Sequence, residues 1–225
     1  SVPEDESVTL ALSGEMGRSL FAFPASYLQM VDWIRQRPNG PHVAVGVALN
    51  HGGIAGDHVL NASQRHDLQE LLERLQFLGF SDYRQVQVPP RIADFEEHVE
   101  YFLSEWKALG LEVPPAMPLH FSEVGIGGYA ATGHTEDPAA AVKTPYAGGG
   151  SHRGSPWVTP EMRTLRLEYH TALLAFLKQQ SAIHPVTAAF LWSTGSWDPQ
   201  GIREPGAADS EITQRIRTHN ASARR

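Results

Sequence analysis

The sequence predicts an α/β fold in which helices cover a parallel β-sheet. Short apolar segments alternate with longer amphipathic ones along the chain of 225 residues. The short segments are apolar almost without interruption, as at 43–49 and 186–192, which is typical of strands buried on both faces. A chain of this length suits one domain, or part of a slightly larger one.

Five strands and five helices are expected in alternating order. Pro24 suits the first turn of a helix, where a backbone N–H has no partner to lose, and Gly110 is a common residue just past a helix end. Ser210 is expected to cap the last helix. The strands are predicted over residues 8–12, 43–49, 76–81, 118–122 and 186–192. The helices are predicted over residues 24–37, 62–75, 92–109, 161–180 and 210–219.

Residues 125–160 are predicted to form a long loop at the edge of a cleft. The segment is rich in Gly, Ala, Thr and Pro, and loops of such length are usually functional or disordered. Its glycine-rich stretch, 148–155, lacks a preceding strand and a suitably placed lysine. A flexible cleft edge is therefore favoured over a phosphate-binding loop.

Composition excludes several classes of function. The net charge is −7 and the 18 basic residues are scattered, which argues against nucleic acid as a partner because phosphate binding needs a basic face. No apolar run approaches the length of a membrane span. The absence of cysteine excludes disulfides, thiolate zinc sites and cysteine nucleophiles. It leaves localisation open, with secretion or the cell surface as one option.

Two glutamates follow two different predicted strands. Glu15 and Glu123 each come directly after an apolar run, close to glycine. In parallel α/β folds the chemistry takes place just past the carboxyl ends of the strands. Cleavage of a glycosidic bond requires two carboxyl groups, one to protonate the leaving oxygen and one to attack the anomeric carbon or activate water. The other candidates at strand ends are Asn50, His51, Tyr83, Trp192, Trp197 and Asp198.

Four segments carry a resemblance to a known family. They are LHFSEVGIGG at 119–128, LALSGEMG at 10–17, LQFLGFSDY at 75–83 and AFLWSTGSWDPQGI at 189–202. They resemble the clan A glycoside hydrolases, whose (β/α)8 barrels carry the acid/base glutamate after barrel strand 4 and the nucleophile after barrel strand 7. The resemblance implies a TIM-barrel-like fold, incomplete at the N-terminus, in which residues 1–225 form one catalytic portion covering barrel strands 4 to 8. Most members have Asn before the acid/base glutamate, where this sequence has Gly14.

The resemblance also implies a role for each candidate residue. As in a retaining glycosidase, Glu15 would act as general acid and then general base, and Glu123 would form the covalent glycosyl-enzyme intermediate. Tyr83 is expected to hydrogen-bond Glu123, and Trp192 to stack under the sugar in the −1 subsite. No cofactor is implied, and the sugar and its linkage stay open. The further contacts expected with the carbohydrate substrate are Asn50, His51, Trp197 and Asp198.

Other interpretations are open at this stage. Gly14 and the absence of counterparts to barrel strands 1 to 3 favour a catalytically inactive carbohydrate-binding barrel or a non-functional fragment. A metal-dependent barrel hydrolase would use His51, His120 or His134, although the sequence has no HExxH motif. Glu15 also has an ordinary structural interpretation, as a residue in the first turn of a helix.

Overall fold

The computed structural model describes residues 8–38, 42–52, 54, 58–150, 154–179 and 183–223. Its strands are, in chain order, β1 (Val8–Ala11), β2 (Val43–Asn50), β3 (Phe77–Asp82), β4 (Leu119–Val124), β5 (Tyr129–Ala130), β6 (Gly133–His134) and β7 (Val186–Leu191). Five of them form a parallel sheet in the order β1-β2-β3-β4-β7, whereas β5 and β6 form a short antiparallel hairpin. The predicted α/β class with a parallel sheet is confirmed.

Helices lie in the connections between consecutive strands of the sheet and after its last strand, as the alternating pattern predicts. They are α1 (Gly17–Ala22), α2 (Pro24–Arg35), α3 (Ala62–Arg74), α4 (Ile92–Ala108), α5 (Pro138–Ala141), α6 (Pro160–Gln179) and α7 (Ser210–Ala223). The five predicted helices are present, with ends shifted by four residues or fewer. The two short ones, α1 and α5, were not predicted, because six and four residues are too few to show a helical period.

The parallel register at the start of the sheet depends on a glycine. Val8 pairs with Val43 and Gly46 pairs with Phe77 across β1, β2 and β3. A Cβ atom on Gly46 would lie 2.5 Å from the Phe77 ring, so only glycine fits beneath that ring. Because β1 and β2 are parallel, the residues that follow them emerge at the same edge of the sheet.

Two helix starts show how local polar groups set the element boundaries. Asn61 and Gln64 form a reciprocal capping box at α3, with N–H to oxygen distances of 3.0 and 2.9 Å. The predicted cap of α7 at Ser210 is wrong. The Asp209 carboxylate accepts the Ile212 N–H at 3.0 Å, so Asp209 is the cap and Ser210 is the first helical residue.

The chain divides into two compact units, and each has an aromatic core. The first unit comprises residues 1–81, 99–122 and 182–188, and the second comprises 82–98, 123–181 and 189–225. In the first, Phe80 stacks on Phe102 with ring centroids 4.1 Å apart. In the second, Phe95 contacts Tyr169 at 5.5 Å and Phe176 at 5.8 Å.

The described part of the predicted 125–160 loop is held by one serine. The Ser196 hydroxyl donates to the Gly127 carbonyl and accepts the Gly149 N–H at 3.1 Å. Its carbonyl accepts the Trp157 indole N–H at 2.7 Å and the Arg166 Nη2 at 3.0 Å. The segment therefore has fixed internal structure over its described residues. The predicted flexible stretch at 148–155 lies partly outside them, at 151–153.

Candidate active site

The ends of β3 and β4 bring a tyrosine and a glutamate together in the second unit. Tyr83 directly follows β3, and Glu123 is the next-to-last residue of β4. The Tyr83 hydroxyl donates a hydrogen bond to Glu123 Oε2 at 3.2 Å. Both side chains are half-buried, so the carboxylate is oriented by the phenol and remains reachable. The predicted hydrogen bond between Tyr83 and Glu123 is confirmed.

A buried ion pair lies next to Tyr83 in the chain. The carboxylate of Asp82, the last residue of β3, lies 2.8 Å from Nδ1 of His98 on α4, and Nε2 of His98 lies 3.0 Å from the Gln85 carbonyl. Burial lowers the pKa of His98, but the charge and hydrogen bond of Asp82 and the Gln85 carbonyl outweigh it, so the pKa is raised. Both ring nitrogens face oxygens that only accept, so the ring is satisfied only as the imidazolium.

A buried tyrosine on α6 faces the same strand ends. Burial raises the pKa of the Tyr169 phenol well above its usual range, and the charge of Asp82 raises it further. A hydrogen bond with the Gly125 backbone acts in the opposite direction. Tyr169 is therefore a neutral phenol held against the backbone that follows Glu123. It can anchor the backbone there without adding charge to the site.

Two tryptophans flank the glycine that follows Glu123 and Val124. A Cβ atom on Gly125 would lie 3.3 Å from Trp197 Cδ1 and 4.0 Å from Trp192 Cβ, so glycine lets both indoles approach the backbone. The Trp192 N–H bonds the Val124 carbonyl at 3.1 Å, and its side chain is 38% exposed. The Trp197 indole N–H donates to the Pro145 carbonyl at 2.9 Å. Trp192 thus offers an open ring, whereas Trp197 packs on the loop.

Asp198 does not occupy the position expected of a substrate contact. Its side chain is fully buried and accepts backbone N–H groups of the following turn. The distances are 3.1 Å to Gln200, 2.7 Å to Arg203 and 3.3 Å to Glu204. The carboxylate is committed to the turn, so the structure gives Asp198 a structural role in place of the expected contact with sugar.

Glu15 lies in the first unit, in a tight bend after β1. It is exposed and has a φ of 55°, a left-handed conformation that is uncommon for residues other than glycine. Ser13 extends the β1–β2 ladder up to this bend, because its carbonyl accepts the Ala48 N–H at 3.0 Å. Glu15 precedes α1, so it is not a first-turn helix residue. Its backbone conformation costs on the order of 1 kcal/mol.

Glu15 and Asn50 line the same cavity in the first unit. The cavity holds about 460 Å³, within the range of small-molecule sites. The structure thus brings together two of the residues predicted from the ends of β1 and β2. His51, the next residue in the chain, stacks on Tyr101 at 5.1 Å and is half-buried among aromatic rings. The described lining consists of Glu15, Met16, Gly17, Arg18, Ser19, Leu49, Asn50, Ile54 and His58.

The histidines named for a metal site have aromatic neighbours. His120 stacks on Phe77 at 4.4 Å, and burial lowers its pKa. His134, on β6, meets the Tyr129 ring edge-on at 5.7 Å. Within the described ranges, no group of three or more His, Asp or Glu side chains is arranged to hold a metal ion.

Four residues of these sites were missed at the sequence level. Asp82 was visible as a carboxylate directly after a strand, but His98 sits inside a long amphipathic helix where nothing distinguishes it from core residues. Arg18 and His58, which line the cavity of the first unit, come from α1 and from a loop. Neither segment carries a motif that would have selected them.

Comparison with known proteins gives no relative from which a role could be transferred. No family model, no curated protein and no solved structure matches this chain at a significant level. No helix among the described residues has the length and apolar character needed to cross a bilayer. The functional argument therefore depends on the geometry of the sites.

Proposed function

We propose that this protein is a retaining glycoside hydrolase acting on a β-linked glycoside or polysaccharide. In this proposal the five β/α units correspond to strands 4 to 8 of a TIM-barrel-like fold. Glu123 is the nucleophile and Glu15 the acid/base. The observation that carries the proposal is the hydrogen bond from Tyr83 to Glu123 Oε2 at 3.2 Å, at the ends of two adjacent strands.

The bond from Tyr83 suits a nucleophilic carboxylate. A hydrogen bond from a phenol favours the charged form of a carboxylate and orients it, as attack on the anomeric carbon requires. The glycosidic bond breaks as the carbon–oxygen bond to Glu123 forms, and Glu15 gives its proton to the leaving oxygen. Glu15 then takes a proton from water, which displaces the Glu123 carboxylate and releases the sugar. These steps require no cofactor.

Two further observations support a saccharide as the substrate. Trp192, whose backbone N–H bonds the residue after Glu123, is 38% exposed, and an indole face can pack on the C–H groups of a pyranose. Asn50 lines the cavity that contains Glu15, where its amide offers both a donor and an acceptor to hydroxyl groups. A saccharide has polar hydroxyl groups at its edges and apolar C–H groups on its faces. An amide can bind the hydroxyl groups, and an indole can pack on the faces.

The decisive experiment traps the proposed intermediate. The chain is incubated with a panel of 2-deoxy-2-fluoro-β-glycosyl fluorides, and peptide mass spectrometry locates the attached sugar. We expect one sugar on Glu123, no label on Glu123→Gln, and unchanged labelling of Glu97→Gln, which alters an exposed glutamate in the same unit. A label on another carboxylate would overturn the assignment of Glu123.

The acid/base role is tested separately with aryl β-glycosides. Glu15→Ala should retain activity only on substrates with good leaving groups, and added azide should yield the β-glycosyl azide. Full activity of Glu15→Ala on poor leaving groups would overturn the assignment of Glu15. Saccharide binding without turnover of any substrate in the panel would overturn the enzyme proposal and favour an inactive carbohydrate-binding protein.

A further inference from the structure

A second cavity in the first unit shares two residues with the one that contains Glu15. It holds about 280 Å³, and both cavities are lined by Arg18 and His58. The two spaces are therefore neighbours that meet at these side chains. The described lining of the second cavity consists of Arg18, Phe21, Ala22, His58, Val59, Leu60 and Gln64.

The two cavities differ in charge. The first contains the Glu15 carboxylate, whereas the described residues of the second include no acidic side chain. The Arg18 guanidinium makes no ion pair or hydrogen bond with any residue in the described ranges. Other arginines of the first unit have such partners, as Arg74 does in its salt bridge to Asp32 at 2.8 Å. Among the described residues, Arg18 therefore stands without an acidic partner where the two cavities meet, and an anionic ligand in the second cavity would meet no described acidic side chain.

A histidine at the second cavity supplies the other candidate hydrogen-bond donor. His58 packs on Phe21 with ring centroids 4.3 Å apart, and Phe21 is 2% exposed. Gln64 is already engaged, since its side-chain amide donates to the Phe21 carbonyl at 3.2 Å. The donors left for a ligand are those of Arg18 and the ring nitrogens of His58. A hydrogen bond from the Arg18 guanidinium to an anionic ligand would be charge-assisted.

We propose that the second cavity binds the carboxylate of an acidic sugar, a uronic acid, whose neutral neighbour lies in the cavity of Glu15 and Asn50. The planar guanidinium of Arg18 presents a fork that matches a carboxylate in a bidentate manner. The identity of the ligand as a saccharide rests on the proposed function, whereas its negative charge rests on the Arg18 guanidinium.

The test is calorimetric binding of two matched disaccharides to the intact chain. One is β-linked with a uronic acid at one end, and the other has a neutral hexose in its place. We expect the acidic disaccharide to bind at least tenfold more tightly. In the Arg18→Gln variant that preference should be lost, so that the two disaccharides bind with equal affinity. Arg18→Lys should retain part of the preference, because it keeps the charge and loses the fork.

Arg37→Gln is the matched control, because Arg37 belongs to the same unit and stands over the exposed Trp33 ring, 3.9 Å from its centroid. Equal affinities for the two disaccharides, or equal losses in Arg18→Gln and Arg37→Gln, would overturn the inference. If a sulfated disaccharide binds more tightly than the uronate, the inferred carboxylate ligand would be overturned and a sulfate ester would take its place as the ligand of this cavity. If Glu123 is not labelled but the preference for the uronate is intact, the proposed glycosidase activity would be rejected and the proposed carboxylate-binding site would stand.

Discussion

His98 Nδ1 lies 2.8 Å from Asp82 Oδ2, with both side chains nearly inaccessible at 4% and 1% exposure. The pair is adjacent in sequence to Tyr83, which holds Glu123. Burial lowers the pKa of His98, but Asp82 and the Gln85 carbonyl raise it by more. The pair therefore stabilises the end of β3, next to the tyrosine that contacts the proposed nucleophile. This stabilisation depends on pH, because it requires the charged form of His98.

The first prediction concerns the pH dependence of this support. Because the folded pKa of His98 is raised, its stabilisation is full below the unfolded value of about 6.5 and is lost as pH rises through the folded pKa. His98→Gln should lower the free energy of unfolding by about 3 kcal/mol at pH 6 and flatten its decline above that pH. Urea denaturation from pH 6 to 9 measures both. His66→Gln, an exposed change on α3, is the control; equal slopes in all three proteins would contradict the prediction.

A second buried histidine, His170, should make the stability of the fold depend on pH in the opposite direction. Burial lowers the pKa of His170 to about 4, and the hydrogen bond of its ring with the Arg166 carbonyl offsets only part of this. The neutral ring is therefore favoured in the fold, and stability is lost as pH falls from about 6.5 towards 4. His170→Asn should reduce the acid-induced loss, which amounts to about 3 kcal/mol over that range. Denaturation midpoints at pH 4.5 and 7 check this; an unchanged difference between the two midpoints would count against it.

Glu15 should show a trade-off between stability and activity. Its φ of 55° is strained for a residue that has a Cβ atom, whereas glycine adopts this angle without strain. Glu15→Gly should raise the free energy of unfolding by about 1 kcal/mol and abolish turnover of poor leaving groups. Glu15→Ala removes the same carboxylate but keeps the backbone strain. It should therefore lose turnover of poor leaving groups with no gain in the free energy of unfolding. Equal stabilities of the two variants would show that the backbone at this position is not strained.

The hydroxyl of Tyr83 should matter for turnover more than for folding. Removing one hydrogen bond to the Glu123 carboxylate weakens its orientation, so Tyr83→Phe should lower kcat/KM by roughly 10-fold to 100-fold. The free energy of unfolding should fall by only about 1 kcal/mol. Tyr146→Phe, on an exposed tyrosine, provides the reference. A Tyr83→Phe variant as active as this reference would remove the observation that carries the proposed function.

The main elements of the fold were predictable because their signals are local. Continuous apolar runs marked all five strands of the sheet, and helical spacing marked the five longer helices. Two of the elements that were not predicted, α1 and the β5–β6 hairpin, also have local causes. Pro24 and Phe23 break the segment 17–35 into two helices, so the short first half showed no period. Gly133, with a φ of 120°, allows the hairpin turn inside the predicted loop.

The candidate site was predictable only where a motif and a strand end coincide. Tyr83 and Glu123 are 40 residues apart, yet Tyr83 directly follows β3 and Glu123 lies at the end of β4 in the same parallel sheet, which places both at one edge. His98 has no such marker, since its partner depends on which face of α4 packs on the strand end. Asp198 was misassigned because a carboxylate near a strand end looks the same in sequence whether it faces a ligand or caps a turn.

The bonds made by Ser196 also set an order of events during folding. They connect residues 30 to 69 positions apart, reaching back to Gly127, Gly149, Trp157 and Arg166. Contacts of such long sequence separation form slowly, because the loop entropy must be lost before the bonds compensate for it. The loop after Glu123 thus cannot acquire its final shape until the chain through Ser196 has been synthesised. A truncation before that residue would remove these four hydrogen bonds and leave the surroundings of Glu123 unfinished.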